Sequence, residues 1–132
     1  MARRISGIVY GALTVLVALF QIALALGMPW GAFAMGGAFP AQFPPAMRAA
    51  ALGQAVVLLL LAGVILSRAG IILPKWAKAS RWLAWVVVAF SALSLVLNIM
   101  TPSAGERLLW APVALLLLVS SLIVAAGRHP NT

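Results

Sequence analysis

The side chains that could carry out chemistry in this chain are few. Glu106 is the single carboxylate and His129 the single imidazole in 132 residues, and there is no cysteine. A metal site needs three or four ligands of these types, and covalent catalysis needs a nucleophile beside a base, so one chain supplies neither. We therefore expect a protein that is not an enzyme and that carries no cofactor, no metal and no catalytic residue.

The remaining polar side chains could bind a ligand through hydrogen bonds or charge. Three amides lie within the predicted spans, and two isolated arginines have guanidinium groups that could hold a phosphate or a carboxylate in forked geometry. An aromatic ring and the one carboxylate lie near them in the predicted topology. The predicted ligand-binding set is Arg48, Arg107, Glu106, Asn98, Gln21, Gln54 and Trp30.

The composition decides which elements must position these residues. Hydrophobic residues make up 65% of the chain and charged residues 8%, with a mean hydropathy of +1.16, far from the composition of a soluble protein. Four apolar stretches are long enough to cross a bilayer as helices. They predict an all-α membrane protein, a single four-helix transmembrane domain over 1–132 with up-down-up-down topology and spans at about 5–26, 46–66, 82–100 and 108–126.

The first span could also be read as a cleaved signal peptide, because two arginines precede it. Its apolar run is longer than the usual hydrophobic region of a signal peptide, and the residues that follow it are bulky. We therefore interpret it as a retained transmembrane helix.

Charge predicts the orientation of the bundle. Seven basic residues fall on one side of the predicted spans and two, Arg48 and Arg107, on the other. Positively charged loops resist translocation, so both termini are expected in the cytoplasm. The net charge of +8 is interpreted as this topology signal, and no nucleic-acid partner is expected. The basic inner loop 67–81 could also attract anionic lipid headgroups.

The segment 27–45 is irregular in sequence, since closely spaced proline and glycine residues prevent a continuous helix there. It is nevertheless apolar, with Phe33, Phe39 and Phe43. We expect it to lie at the headgroup level or to fold over the mouth of the bundle. Whether it is a mobile lid or a simple connection stays open. Gly70 is expected to end the second helix in a left-handed conformation.

Small residues at helical spacing predict the faces on which the helices pack, because helices in a bilayer associate through close backbone approach. Gly7 and Gly11 form a GxxxG motif on the first helix. The other predicted faces are Thr14, Ala18, Gln21 and Ala25 on the first helix, Ala49 with Gly53 and Ala50 with Gln54 on the second, Ser91, Ser94 and Asn98 on the third, and Ala111, Ala114, Ser121 and Ala125 on the fourth.

The polar side chains concentrate towards the outer end of the predicted bundle. Polar groups in hydrocarbon are costly unless they are paired, so the clustering of Gln21, Gln54 and Asn98 predicts either a hydrogen-bonded network or an outward-open polar cavity. Glu106 is explained by a capping box that begins at Ser103. The carboxylate could in addition form an ion pair with Arg48, and this alternative stays open.

Three motifs carry a resemblance to known proteins: Met28-Pro29-Trp30-Gly31, Phe43-Pro44-Pro45 followed by Arg48, and Asn98 leading to Glu106-Arg107-Leu108-Leu109-Trp110-Ala111-Pro112. With them the chain resembles small four-span bacterial integral membrane proteins that have no assigned function. The resemblance covers all four spans. It implies a multi-pass protein of the bacterial inner membrane and implies no catalytic residue.

Two functions fit these observations. The first is a small structural or accessory subunit that acts through helix packing, as a homo-oligomer or within a larger membrane complex. The alternative is a protein that binds or transports a lipid or an anionic small molecule in an outward-facing polar cavity. Membrane lipids are expected partners in both cases.

Overall fold

The computed structural model describes residues 2–34, 37–72 and 74–127, which form four long helices and two short 3-10 turns. The helices are α1 (Ala2–Ala25), α2 (Pro45–Arg68), α3 (Ala77–Met100) and α4 (Ala104–Ala126), and the turns are Gly31–Phe33 and Pro74–Trp76. All four helices are long and apolar enough to cross a membrane. The predicted fold class, an all-α four-helix membrane bundle, is confirmed.

The helices are longer than the apolar stretches that predict them. α3 begins at Ala77 rather than near 82, and α4 begins at Ala104 rather than near 108. The added residues at these helix starts include Lys78, Arg81 and Glu106. A helix does not stop where the hydrocarbon stops, because polar side chains in its outer turns reach the headgroup region.

The helices stand in a square, in which α1 and α3 each contact both α2 and α4. The interface between α2 and α3 is the sparsest of the four. We call the end where α1 begins and α4 ends the basic end, because Arg3, Arg4, Arg68 and Arg81 lie there. The opposite end, where α1 ends and α4 begins, is called the cavity end.

Close packing marks the basic end. A Cβ atom on Gly7 would lie 2.7 Å from Cβ of Ala69, so α1 and the end of α2 approach each other at a distance that only glycine permits. Ile65 and Val124 are fully buried beside this contact. Within the predicted GxxxG motif, Gly7 makes the close contact. A Cβ atom on Gly11 would lie 3.4 Å from the side chain of Leu66, which is an ordinary contact distance.

The predicted small-residue faces hold for α1, α3 and α4. On α2 both predicted pairs fail as packing faces, since Ala50 of the pair Ala50 and Gln54 is exposed and Gln54 is half-buried. Ala49 and Gly53 are exposed, and a Cβ on Gly53 would meet nothing within 4 Å. The buried small residues of α2 are Ala51, Ala55 and Ala62. Alanines are so frequent along α2 that several stripes have helical spacing, and only contact with the neighbouring helices selects one of them.

Two glycines end the first two helices in the same way. Gly70 has φ +79°, Gly70 N–H donates to the Ser67 carbonyl at 3.0 Å, and Ile71 N–H donates to the Leu66 carbonyl at 3.0 Å. This is the Schellman motif, and it confirms the predicted cap. Gly27, with φ +100°, closes α1 through the same pair of bonds. Both helices thus stop at a defined residue.

Candidate functional site

A cavity of about 680 Å³ lies between the four helices at the cavity end. Most of its wall is apolar and contains several aromatic side chains. The aromatic residues that line it away from its floor are Phe20, Phe33, Phe43, Phe90 and Trp110. Tyr10 and Ser91, which are both buried, line it at its deepest point, halfway along the bundle.

Each helix contributes one strongly polar side chain to this cavity. Gln21 comes from α1, Gln54 from α2, Asn98 from α3 and Glu106 from α4, and all four are half-buried. The structure therefore brings together four of the seven residues predicted to bind a ligand. Of the two arrangements predicted for the polar cluster, a network or a cavity, it favours the cavity.

A local hydrogen bond fixes the Asn98 side chain, and another caps the helix that carries Glu106. Asn98 Nδ2 donates to the Ser94 carbonyl one turn earlier at 2.7 Å, which sets the orientation of the amide. Glu106 N–H donates to Ser103 Oγ at 3.2 Å, so Ser103 is the predicted N-cap of α4. Ser103 N–H itself donates to Thr101 Oγ1 at 3.3 Å. Glu106 lies in the first turn of α4, at the end of the helix where backbone N–H groups are not bonded within the helix.

The described residues of the segment 27–44, here called the covering segment, fold over the cavity end. Ser103 Oγ donates to the Ala32 carbonyl at 2.6 Å, and Trp110 Nε1 donates to the Phe33 carbonyl at 2.8 Å. A Cβ on Gly105 would lie 2.8 Å from the Phe33 ring, so the segment rests directly on α4. Of the two predicted positions for this segment, the structure has the one over the bundle.

The other three predicted site residues do not line the cavity. Arg48 Nε donates to the Phe43 carbonyl at 3.2 Å, and its guanidinium group covers Gly27. Arg107 Nη2 donates to the Thr101 carbonyl at 2.9 Å. Trp30 stacks on Phe20 with 6.2 Å between ring centroids. Both arginines are directed to backbone carbonyls that lie outside the helices and have no partner within them.

The residues missed by the sequence prediction are mainly the aromatic ones. Phe20, Phe90 and Trp110 have the spacing of ordinary core or interface residues, and nothing in their pattern marks a cavity. Ser94 belonged to a predicted packing face, and its place beside Asn98 on α3 was the available signal.

The cavity also has a lateral mouth. Ala50 on α2 and Leu97 and Met100 on α3 line it and are exposed as well, so the cavity reaches the surface between these two loosely packed helices.

No family model, no curated protein and no solved structure matches this chain. The resemblance to small four-span bacterial membrane proteins therefore stays a prediction.

Proposed function

We propose that this multi-pass protein binds one amphipathic small molecule in the cavity and does not convert it chemically. The observation that carries the proposal is the convergence of one polar side chain from each helix, Gln21, Gln54, Asn98 and Glu106, on a single apolar cavity. Ligand pockets typically enclose about 300–1,000 Å³ and combine apolar walls with a few placed polar groups. The cavity fits that description in volume and in lining.

The polar groups favour a ligand head group that is neutral or cationic. Glutamine and asparagine amides both donate and accept hydrogen bonds, and the carboxyl oxygens of Glu106 accept them. The anionic-ligand prediction depended on Arg48 and Arg107. These side chains instead donate hydrogen bonds to the Phe43 and Thr101 carbonyls. We therefore propose a head group rich in hydrogen-bond donors, attached to an apolar body that lies against the aromatic walls.

We further propose that the protein resides in a bacterial inner membrane with both termini in the cytoplasm. The seven-to-two distribution of basic residues supports this orientation, and the resemblance of its motifs supports the compartment. In this orientation the covering segment and the cavity end face outward.

Native mass spectrometry of the protein, gently extracted from its membrane, tests the proposal through the change Gln54→Leu. This substitution keeps the approximate size of the side chain and removes its amide. We expect a co-purifying small molecule with the wild type and about tenfold lower occupancy at a limiting ligand level with Gln54→Leu, equivalent to roughly 1.4 kcal/mol. Gln42→Leu, the same change on an exposed residue of the covering segment, is the matched control and should leave occupancy unchanged.

Other outcomes would contradict the proposal in distinct ways. Equal occupancy in both variants would show that the molecule is bound elsewhere. Loss of the molecule in Arg107→Ala would restore the anionic-ligand alternative. A bundle that carries no small molecule and arrives with another polypeptide would support the accessory-subunit role, which stays a prediction.

A further inference from the structure

Two arginines are buried at the basic end of the bundle. Arg3 is 9% exposed and Arg68 is 7% exposed, whereas the neighbouring Arg4 is exposed. Both buried side chains meet the end of α4. Arg68 Nη2 donates to the Gly127 carbonyl at 3.5 Å, and the Cγ and Cδ atoms of Arg3 lie 3.3–3.5 Å from where a Gly127 Cβ would be.

Most of the donors in this pair have no acceptor among residues 2–34, 37–72 and 74–127. Nε, Nη1 and Nη2 of Arg3 and Nε of Arg68 are buried and make no hydrogen bond within the described structure. A guanidinium group does not lose its proton in a protein, and burying it without a negative partner is strongly unfavourable. The only side-chain carboxylate in the sequence belongs to Glu106, which lies in the first turn of α4 at the opposite end of the bundle. The chain therefore has no acidic side chain with which to neutralise the pair.

Neighbouring positive charges make the two buried arginines still less favourable without a negative partner. Arg3 and Arg68 lie close enough to repel each other, and Arg81 at the start of α3 repels Arg68 as well. Arginines that only reach for the membrane surface keep their guanidinium group exposed, and Arg4 is exposed. Arg3 is held inward instead, and its five donors form a fork that matches the oxygens of a phosphate group.

We infer that Arg3 and Arg68 form a binding site for an oxyanion of the phosphate class at the basic end. The phosphate group belongs either to the headgroup of an anionic lipid or to free phosphate, since both present the same oxygens to the fork. This site is separate from the cavity and does not rest on the proposed function.

Thermal unfolding of the full chain in neutral detergent tests the inference, with short-chain phosphatidylglycerol and inorganic phosphate as probes. In the wild type we expect phosphatidylglycerol, or phosphate at constant ionic strength, to raise the midpoint temperature. Short-chain phosphatidylcholine should not raise it. In Arg3→Gln we expect the rise to disappear, with an apparent affinity weaker by about 30-fold or more. A response to phosphatidylglycerol alone identifies a lipid headgroup, and a response to both probes identifies phosphate chemistry in general.

The variant Arg4→Gln is the matched control, because it removes the same charge from the adjacent, exposed position. It should retain the wild-type response. Since Arg3→Gln also relieves an unpaired buried charge, its midpoint without probe should equal or exceed that of the wild type. If Arg3→Gln does not fold, Arg68→Gln takes its place, and it too should lose the response.

Several results would overturn the inference. An equal response in Arg3→Gln and Arg4→Gln would show that the midpoint rises because of general surface charge and not because of a specific site. An equal rise with phosphatidylcholine would reduce it to hydrocarbon packing. A phosphate response that appears only when residues 128–132 are deleted would show that this segment, which lies outside the described residues, occupies the site itself.

Discussion

At the cavity end the helices stand apart and enclose about 680 Å³, whereas at the basic end Gly7 brings α1 into contact with Ala69 and Ile71. The two ends also differ in the polar groups that they contain. The strongly polar groups that line the cavity are amides and one carboxylate, and they share an open space. The buried charges at the basic end are Arg3 and Arg68, most of whose donors have no hydrogen-bond acceptor among the described residues.

This difference determines where the bundle can accommodate a molecule. Helices in a membrane approach closely only where a small residue allows it. Gly7 provides that contact at one end, and at the other the bulky rings of Phe20, Phe90 and Trp110 line the space between the helices. Among the described residues, the cavity that could hold an organic molecule between the four helices lies at the cavity end, whereas the basic end has buried charge.

The largest expected effect comes from adding one methyl group at the tight contact. Gly7→Ala places a Cβ 2.7 Å from Cβ of Ala69, and neither atom is the tip of a flexible side chain. We expect the free energy of unfolding to fall by about 1–3 kcal/mol, measured by denaturant titration in mixed micelles.

Gly11→Ala is the matched control, since its new Cβ meets only the Leu66 side chain at 3.4 Å. We expect it to change the free energy of unfolding by less than about 0.5 kcal/mol. Equal losses in the two variants would mean that the close approach is not confined to Gly7, and the contrast between the two ends would weaken.

An intermediate loss of stability is expected when the attachment of the covering segment to α4 is weakened. The Ser103 hydroxyl group accepts from Glu106 N–H and donates to the Ala32 carbonyl. Ser103→Ala removes both bonds and should lower the free energy of unfolding by about 1–2 kcal/mol. Amide hydrogen exchange should accelerate in the covering segment and in the first turn of α4.

Ser120→Ala serves as the comparison for that change, because Ser120 Oγ donates only to carbonyls of its own helix. Its effect on unfolding should stay within about 0.5 kcal/mol, since such bonds add little to a helix. Exchange in the covering segment that is unchanged by Ser103→Ala would argue that other contacts hold it in place.

The smallest expected effect comes from adding bulk at the cavity. Ala50 lines the mouth and is exposed, so Ala50→Leu should change the free energy of unfolding by less than about 0.5 kcal/mol. Ala50→Leu adds three carbon atoms, whereas Gly7→Ala adds one, so the larger addition is expected to have the smaller effect. A loss as large as that of Gly7→Ala would show that the cavity end is as tightly packed as the basic end.

The sequence predicts the fold well because length and apolarity are local properties. Four runs of about 20 apolar residues are enough to predict four helices, and glycine followed by Ile71 and Ile72 predicts the end of α2. The capping serine Ser103 follows from the same kind of short-range pattern.

The sequence predicts the site only in part. Depth along each helix follows from counting residues, and it correctly grouped Gln21, Gln54, Asn98 and Glu106 at one end. The side to which Arg48 and Arg107 turn depends on which loop carbonyls lie near them, and this is decided by the folding of the covering segment. Similarly, nothing in the spacing of Arg3 distinguishes it from Arg4, because burial depends on where α4 ends.

The lateral mouth between α2 and α3 determines which concentration controls binding of the proposed ligand. In a bilayer, the lateral face on which the exposed residues Ala50, Leu97 and Met100 lie would contact lipid and not bulk water. A molecule with an apolar body reaches such a mouth after dissolving in the bilayer. Occupancy of the cavity is then governed by the mole fraction of ligand in the membrane, so adding lipid or detergent dilutes the ligand even when its total amount is constant.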